Sequence, residues 1–381
     1  MTPSLHAQSR PVFHIETKLA EIWAQILGLE KVGFQDDFFE LGGDSLAAAD
    51  LVVQVQKVFG LTLSLTILMQ APTVESLAGV IRRHNGVAAW SSVVELQPQG
   101  SRPPFFCVHP VGGEILCFVN LAREMAPDQP FYGICADRAG EVERTAPHIK
   151  GMAARYIEEI RRFQPDGPYF LGGYSFGGSV AFEMAQQLTA QGQNVALLAI
   201  LDHTPPPARY YTPFGTPAFL MEFLRNTPSW LLDEISNARL DETLARLRLK
   251  TGAVRRRIGA FLDRPSPGST ASDAEGLFDL SRMPEPFRNL LEAHYRALRE
   301  YVPTDYPGRV TLFRARTRPL LRLHGRDLGW SRLAAGGLEI IEITGNHHSI
   351  LSEPHVRVLA QRLRFYLEKA QATNERFTNH C

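Results

Sequence analysis

The 381-residue chain exceeds one average domain, and its 44% hydrophobic content is ample for packed cores, so two domains are expected and a small stapled scaffold is excluded. Its 40 basic and 40 acidic residues cancel, which removes any general electrostatic case for nucleic acid or an anionic membrane as partner. Cys107, Cys117, Cys135 and Cys381 form no CxxC pair, which argues against a disulfide framework or a structural zinc site, and no metal is expected. The segment up to Pro11 lacks an apolar signal core, and apolar runs such as Val195–Leu201 are too short for a bilayer, so a cytoplasmic protein is expected.

Apolar residues at Ile15, Leu19, Ile22, Trp23, Ile26 and Leu27 follow a helical period, and similar spacing recurs in Leu46–Phe59 and Val74–Ile81, so residues 12–85 are expected to be all-helical. Residues 86–104 end in the turn-rich string Gln97-Pro98-Gln99-Gly100-Ser101-Arg102-Pro103-Pro104 and suit a linker. From Phe105 short apolar runs alternate with helix-length segments: Phe105–Val108, Phe131–Ala136, Tyr169–Gly172, Val195–Leu201, Val310–Phe313 and Leu338–Ile343. That rhythm predicts a mostly parallel sheet covered by helices over residues 105–370. Residues 208–305, Arg-rich and helix-patterned, interrupt it as a candidate lid, and residues 371–381 are expected to form a C-terminal tail, frayed from Thr373 to Cys381.

Residues 12–85 carry nine acidic and five basic side chains, a net acidic helical domain suited to docking on basic surfaces. Within them, Asp37-Phe38-Phe39-Glu40-Leu41-Gly42-Gly43-Asp44-Ser45-Leu46 places two aromatic anchors and an open turn before a serine at a helix start. Taken alone, Ser45 reads as a helix cap. The whole string, however, resembles the carrier-protein family of nonribosomal peptide and polyketide synthases. That resemblance implies a four-helix bundle in which Ser45 bears 4′-phosphopantetheine, installed by a phosphopantetheinyl transferase that Asp44 helps to receive. A hydroxyl at a helix N-terminus suits a phosphodiester, because the dipole and free amides favour negative charge.

Gly173-Tyr174-Ser175-Phe176-Gly177 follows the strand-like Tyr169–Gly172 and precedes the helical Gly178–Gln191, the context of a nucleophile elbow. A serine hydroxyl needs a base, and the base an orienting acid. Asp202 ends the run Val195–Leu201, at the carboxyl edge of a buried strand, and Pro205-Pro206-Pro207 makes a plain helix cap there less attractive. Asp327, in the loop after Val310–Phe313, is the competing acid. Gly345-Asn346-His347-His348-Ser349 follows the last expected strand; His347 is the candidate base and His348 a rim or packing residue.

Together these elements resemble the thioesterases that offload nonribosomal peptide and polyketide synthases, over about residues 105–366 and including the Leu-Asp-x-x-Pro-Pro context of Leu201–Pro206. The resemblance implies an α/β-hydrolase fold with a helical lid. It places the acid after the family's sixth strand, which favours Asp202, and it makes His109-Pro110-Val111-Gly112-Gly113 the oxyanion loop. Backbone amides of Val111 and Phe176 would then serve as donors, with His109 structural. Asn346 departs from the family's common Asp. Arg255-Arg256-Arg257 is either an attractor for the acidic carrier or a solvated helix face. The reading that follows is a carrier fused to a thioesterase that releases an acyl or peptidyl thioester, loaded by upstream synthase modules in trans. An editing thioesterase and a non-catalytic acyl shuttle are the rival readings.

Overall fold

The computed structural model describes residues 12–43, 45–61, 63, 67–83, 92–136, 148–206, 221, 226–228, 285–318 and 325–378. Its N-terminal part is α1 (Val12–Leu27), α2 (Ser45–Phe59), α3 (Ile67–Gln70) and α4 (Val74–Arg83). The helical period places Leu19, Ile22 and Trp23 of α1 inward, where they meet Leu51, Val52 and Val55 of α2 and Val74, Leu77, Ala78 and Ile81 of α4. The loop before α2 is pinned from within. Phe38 is fully buried, its ring edge-on to Trp23 at 5.0 Å, and its amide donates to Pro72 O at 2.8 Å. Asp37 Oδ1 accepts from the amide of Phe39 at 2.8 Å, which folds the aromatic pair into a tight turn.

The C-terminal part is a seven-stranded sheet in the order β1-β3-β2-β4-β5-β6-β7: β1 (Val93–Gln97), β2 (Phe105–Val108), β3 (Phe131–Ile134), β4 (Tyr169–Tyr174), β5 (Val195–Leu201), β6 (Val310–Ala315) and β7 (Leu338–Ile343). All neighbours pair parallel except β1, which runs antiparallel to β3. The runs Phe105–Val108 and Tyr169–Tyr174 are buried at every position, as expected of strands covered on both faces. On one face lie α6 (Ile149–Phe163), α7 (Phe176–Ala190) and, farther along, α8 (Glu285–Glu300); on the other lie α5 (Val119–Met125) and α9 (His355–Thr378). Tyr301, just past α8, donates to Glu183 Oε2 of α7 at 2.7 Å. Because they run parallel, β2, β4, β5, β6 and β7 bring their carboxyl ends to one rim.

Two expectations need correction. The stretch expected as linker contains β1, which buries Val93 and Val94, leaves Glu95 exposed and shifts register between Glu95 and Gln97. Its pattern is short and abuts a turn-rich string, which hides it from a periodicity reading. The expected frayed tail is instead the end of α9, helical to Thr378. Gln371 is buried and donates to Gln129 Oε1 at 2.9 Å, and Asn374 Oδ1 accepts from Asn194 at 2.8 Å, so this helix end is anchored on the domain. Most of the candidate lid, with Arg255-Arg256-Arg257, lies outside the described residues, as does Asp44. Among the described residues no helix is long and apolar enough to cross a membrane.

Candidate active site

Ser175 sits between β4 and α7 with φ 53° and ψ −126°, a conformation that L-residues rarely adopt and that lifts the side chain out of the turn. The turn is locked by backbone bonds: Ser175 N donates to Leu201 O at 3.0 Å, and Gly178 N donates to Ser175 O at 2.8 Å. Gly177 must be glycine, because a Cβ there would lie 2.3 Å from Val108 O and 2.5 Å from His109 O. The crossing of α7 over the end of β2 therefore has no room for a side chain. Phe176 opens α7, so its amide belongs to the first turn, whose N–H groups have no partner within the helix.

Asp202 follows β5, the fifth strand of this sheet, and also has positive φ, 47°. Its carboxylate is wholly buried, yet both oxygens are engaged. Oδ2 accepts from His347 Nδ1 at 2.8 Å, and Oδ1 accepts from Ala315 N at 2.7 Å. Arg318 grips the same group, with Nη1 at 3.3 Å from Oδ2 and Nη2 bonded to Oδ1. Burial on its own would raise the Asp202 pKa; the charge of Arg318, then the bond and charge of His347 and the Ala315 amide, hold it well below the usual carboxylate range.

His347 completes the line, its Nε2 3.2 Å from Ser175 Oγ. Since Nδ1 faces a carboxylate, the neutral ring carries its proton there and Nε2 is free to accept from the serine hydroxyl. Tyr174 stacks on the His347 ring at 5.1 Å between centroids and donates its hydroxyl to His347 O. Asn346, the family departure, caps the turn: its Oδ1 accepts from the amides of His348 at 2.8 Å and Ser349 at 3.0 Å, a task a neutral amide oxygen performs as a carboxylate would. The exposed His348 donates no ring contact to the serine and meets His347 edge-on at 5.4 Å. Asp327 spends its oxygens in its own turn, accepting from Gly329 N at 3.2 Å and bonding the Ser331 hydroxyl.

In the loop after β2, both ring nitrogens of His109 face protein groups. It is fully buried, with Nδ1 2.7 Å from Pro110 O and Nε2 2.8 Å from the Tyr156 hydroxyl. A residue missed in the sequence is His294 of α8: fully buried, it has Nδ1 2.6 Å from Val111 O, so the ring must donate there. The rings of His294, Phe176 and His109 lie nearly parallel, His294 4.8 Å from Phe176 and 5.2 Å from His109. Both residues expected to supply oxyanion donors are thus braced by one imidazole from the segment between β5 and β6. Nothing in the sequence around His294 marks it; the spacing to Val111 is 183 residues.

On the N-terminal bundle, Ser45 is the first residue of α2, and no acidic residue occupies the first turn of that helix. Gly43, just ahead, is held by its amide to Phe38 O at 2.9 Å and has no room for a Cβ, which would lie 2.3 Å from the Phe38 ring. A helix start of this kind, on a loop fixed by a buried aromatic ring, fits a serine-linked phosphodiester.

Comparison with known proteins gives two family matches: a phosphopantetheine attachment site over residues 17–81 and a thioesterase domain over residues 103–255. Chondramide synthase cmdD of Chondromyces crocatus is 32% identical over 360 residues, covering 92% of this chain and 9% of that protein. The dimodular nonribosomal peptide synthase of Bacillus subtilis (strain 168) is 40% identical over 190 residues, covering 50% of this chain and 8% of its own length. A crystal structure of a four-domain nonribosomal peptide synthetase, in its holo form with AMP and glycine, aligns with TM-score 0.52 at 29% identity over 95% of this chain and 27% of that one. The chain therefore spans under a tenth of the length of these two curated relatives.

Proposed function

Because the chain belongs over residues 17–81 to the phosphopantetheine attachment family and over residues 103–255 to the thioesterase-domain family, we propose that it releases an acyl or peptidyl chain from its own carrier domain by serine-based thioester cleavage. The relatives are multidomain peptide synthases, so the chain to be released is one assembled by modules of that kind, in nonribosomal peptide or polyketide biosynthesis. Ser45 is the attachment residue we assign, modified by a phosphopantetheinyl transferase. When bound there, the arm's terminal thiol would carry the acyl or peptidyl group as a thioester, whose carbonyl carbon is the point of attack.

The observation that carries the reading is the continuous line from Ser175 Oγ through His347 Nε2 and Nδ1 to Asp202 Oδ2, at 3.2 Å and 2.8 Å. His347 accepts the Ser175 proton as Oγ attacks the carbonyl carbon, and Asp202 stabilises the imidazolium that forms. Amides of Val111 and Phe176 receive the developing oxyanion. His347 then gives its proton to the departing sulfur, leaving the acyl group as an ester on Ser175. In the second half, His347 deprotonates water, or an amine or hydroxyl of the bound chain, and the ester collapses to an acid or a ring. The 3.2 Å serine–histidine separation is of the loose kind that tightens in a complex.

The test is intact-protein mass spectrometry after a promiscuous phosphopantetheinyl transferase has transferred the butyryl-4′-phosphopantetheine group from butyryl-coenzyme A to the chain. Wild type should gain the arm and discharge its acyl group, S175A should keep the acyl group, and S45A should never load. Discharge by S175A at the wild-type rate refutes the assignment and leaves an acyl shuttle in its place.

A further inference from the structure

We propose that Arg318 is a positioning residue for this reaction: it holds the Asp202 carboxylate charged and aligned on His347, and Asn226, from the segment between β5 and β6, holds Arg318 in turn. The inference rests on the thioester cleavage by Ser175 proposed above.

A carboxylate with no exposure must be compensated in full, and a neutral imidazole offers it one hydrogen bond and no charge. Arg318 is the guanidinium in contact with Asp202 among the described residues; its side chain is 11% exposed against 0% for the acid. Its two Nη atoms both reach the carboxylate, one to each oxygen, while its buried Nε has no hydrogen-bond partner among the described residues. Asp202 therefore fixes the guanidinium's orientation, and the fork fixes the carboxylate's in return. The Arg318 backbone is clamped on both sides of the peptide: its N–H donates to Asn226 Oδ1 at 2.8 Å and its C=O accepts from Asn226 Nδ2 at 2.7 Å. Asn226 is itself buried. One residue earlier, Thr317 N donates to Gly345 O at 2.9 Å, tying the same loop to the turn that carries His347. One short loop thus joins the β5–β6 insertion, the acid and the base.

The cation has a consequence for protonation. Arg318 attracts the carboxylate that His347 would otherwise have to itself, so the Asp202–His347 pair binds its acid-side proton less tightly with Arg318 in place. The other groups facing the pair do not substitute for it. Ser175 and Tyr174 are neutral hydroxyls, with burial pushing Tyr174 further up. His203 is pushed down to about 3 by burial, His348 is lowered by desolvation on the site side and by the charge of His347, and Arg314, lowered by burial, interacts with Glu342 and Arg318 as well as with Asp202. All of these are retained when Arg318 alone is changed.

The test is the pH dependence of kcat/KM and kcat for the holo protein acting on butyryl-pantetheine, followed by release of the free thiol. R318M is expected to lose roughly tenfold to a hundredfold in kcat with KM within about twofold, since chemistry and not binding is affected. The acid-side midpoint of its profile should rise on the order of one pH unit, the interaction of a near charge at a buried site. R318K, which keeps the charge without the fork, should restore most of the midpoint but less of kcat. N226A should shift both in the same direction as R318M and by less. An R318M profile with the wild-type midpoint and kcat overturns the inference, and if R318M does not fold, a wild-type profile in N226A together with one in R318K does so. These outcomes are separate from failure of the underlying function, which shows instead as undiminished turnover by S175A.

Discussion

Replacing Gly177 by alanine is expected to disable the elbow without touching any reacting atom. The added Cβ would stand 2.3 Å from Val108 O and 2.5 Å from His109 O, where ordinary van der Waals contact begins near 3.4 Å, so about 1 Å must be found. The obstructing atoms are backbone at the end of β2, a strand buried along its length and paired on both sides, so neither can rotate away. Overpacking of this kind costs about 1–3 kcal/mol, and with rigid neighbours the upper part of that range applies, about 5 °C in Tm for a domain of this size. Ser175 and Phe176 lie one or two positions before the displaced residue, and a misplacement of about 1 Å in a reacting group costs on the order of 100-fold in rate. Thiol release from butyryl-pantetheine and thermal unfolding by circular dichroism measure the two effects. A G177A protein with the kcat and Tm of wild type would refute the close-packed elbow as the device that presents Ser175.

Four further outcomes follow from neighbouring contacts. H294L removes the donor to Val111 O, and a partly misaligned oxyanion loop should lower kcat about tenfold with KM nearly constant, whereas H294N, which keeps a donor near Nδ1, should recover most of it; equal rates in both variants would dismiss the brace. Y174F deletes the bond to His347 O but keeps the ring stack, so a net loss of about 1 kcal/mol, or about fivefold in kcat, is expected from steady-state kinetics. D202N should cut kcat by about 10³–10⁴-fold, the scale at which a histidine loses its orienting acid. The carboxyl of Asp202 is held below its unfolded value, so its stabilisation is complete above about pH 4 and is lost only as the pH falls through the depressed folded value. The urea stability of D202N should therefore trail wild type throughout pH 5–8, and a gap that closes as the pH falls from 8 to 5 would contradict this.

The chain's architecture was legible where one residue type determines one physical outcome. Continuous apolar runs such as Val195–Leu201 can be satisfied only by burial on both faces, and the structure makes that run β5 with its carboxyl end at the rim. Ser175, with glycines on both sides, announced the strained turn that its φ of 53° displays. What stayed hidden depends on partners distant in sequence. Strand β1 is recognisable only beside β3, against which Val93 and Val94 pair. Residues from Thr373 read as a frayed tail because the contacts that anchor this helix end, Gln371 with Gln129 and Asn374 with Asn194, span 242 and 180 positions. Arg318 and His294 likewise have no motif of their own, and Tyr174 sits at a variable position of the elbow: each acts through a backbone or carboxylate oxygen that only the folded sheet brings near. Asn346 shows the converse, a departure from a family pattern whose capping geometry the structure explains.

The most direct test of the central claim follows the acyl group itself from one serine to the other. The holo protein carrying a butyryl-loaded arm is quenched in acid at millisecond to second times, digested, and its Ser45 and Ser175 peptides are weighed. The account requires the butyryl mass to leave the pantetheinyl Ser45 peptide, appear transiently on the Ser175 peptide, and then be lost from both, with H347A blocking the first transfer. Loss of butyryl from the Ser45 peptide in S175A at the wild-type rate, with no acylated serine at any time, would contradict it.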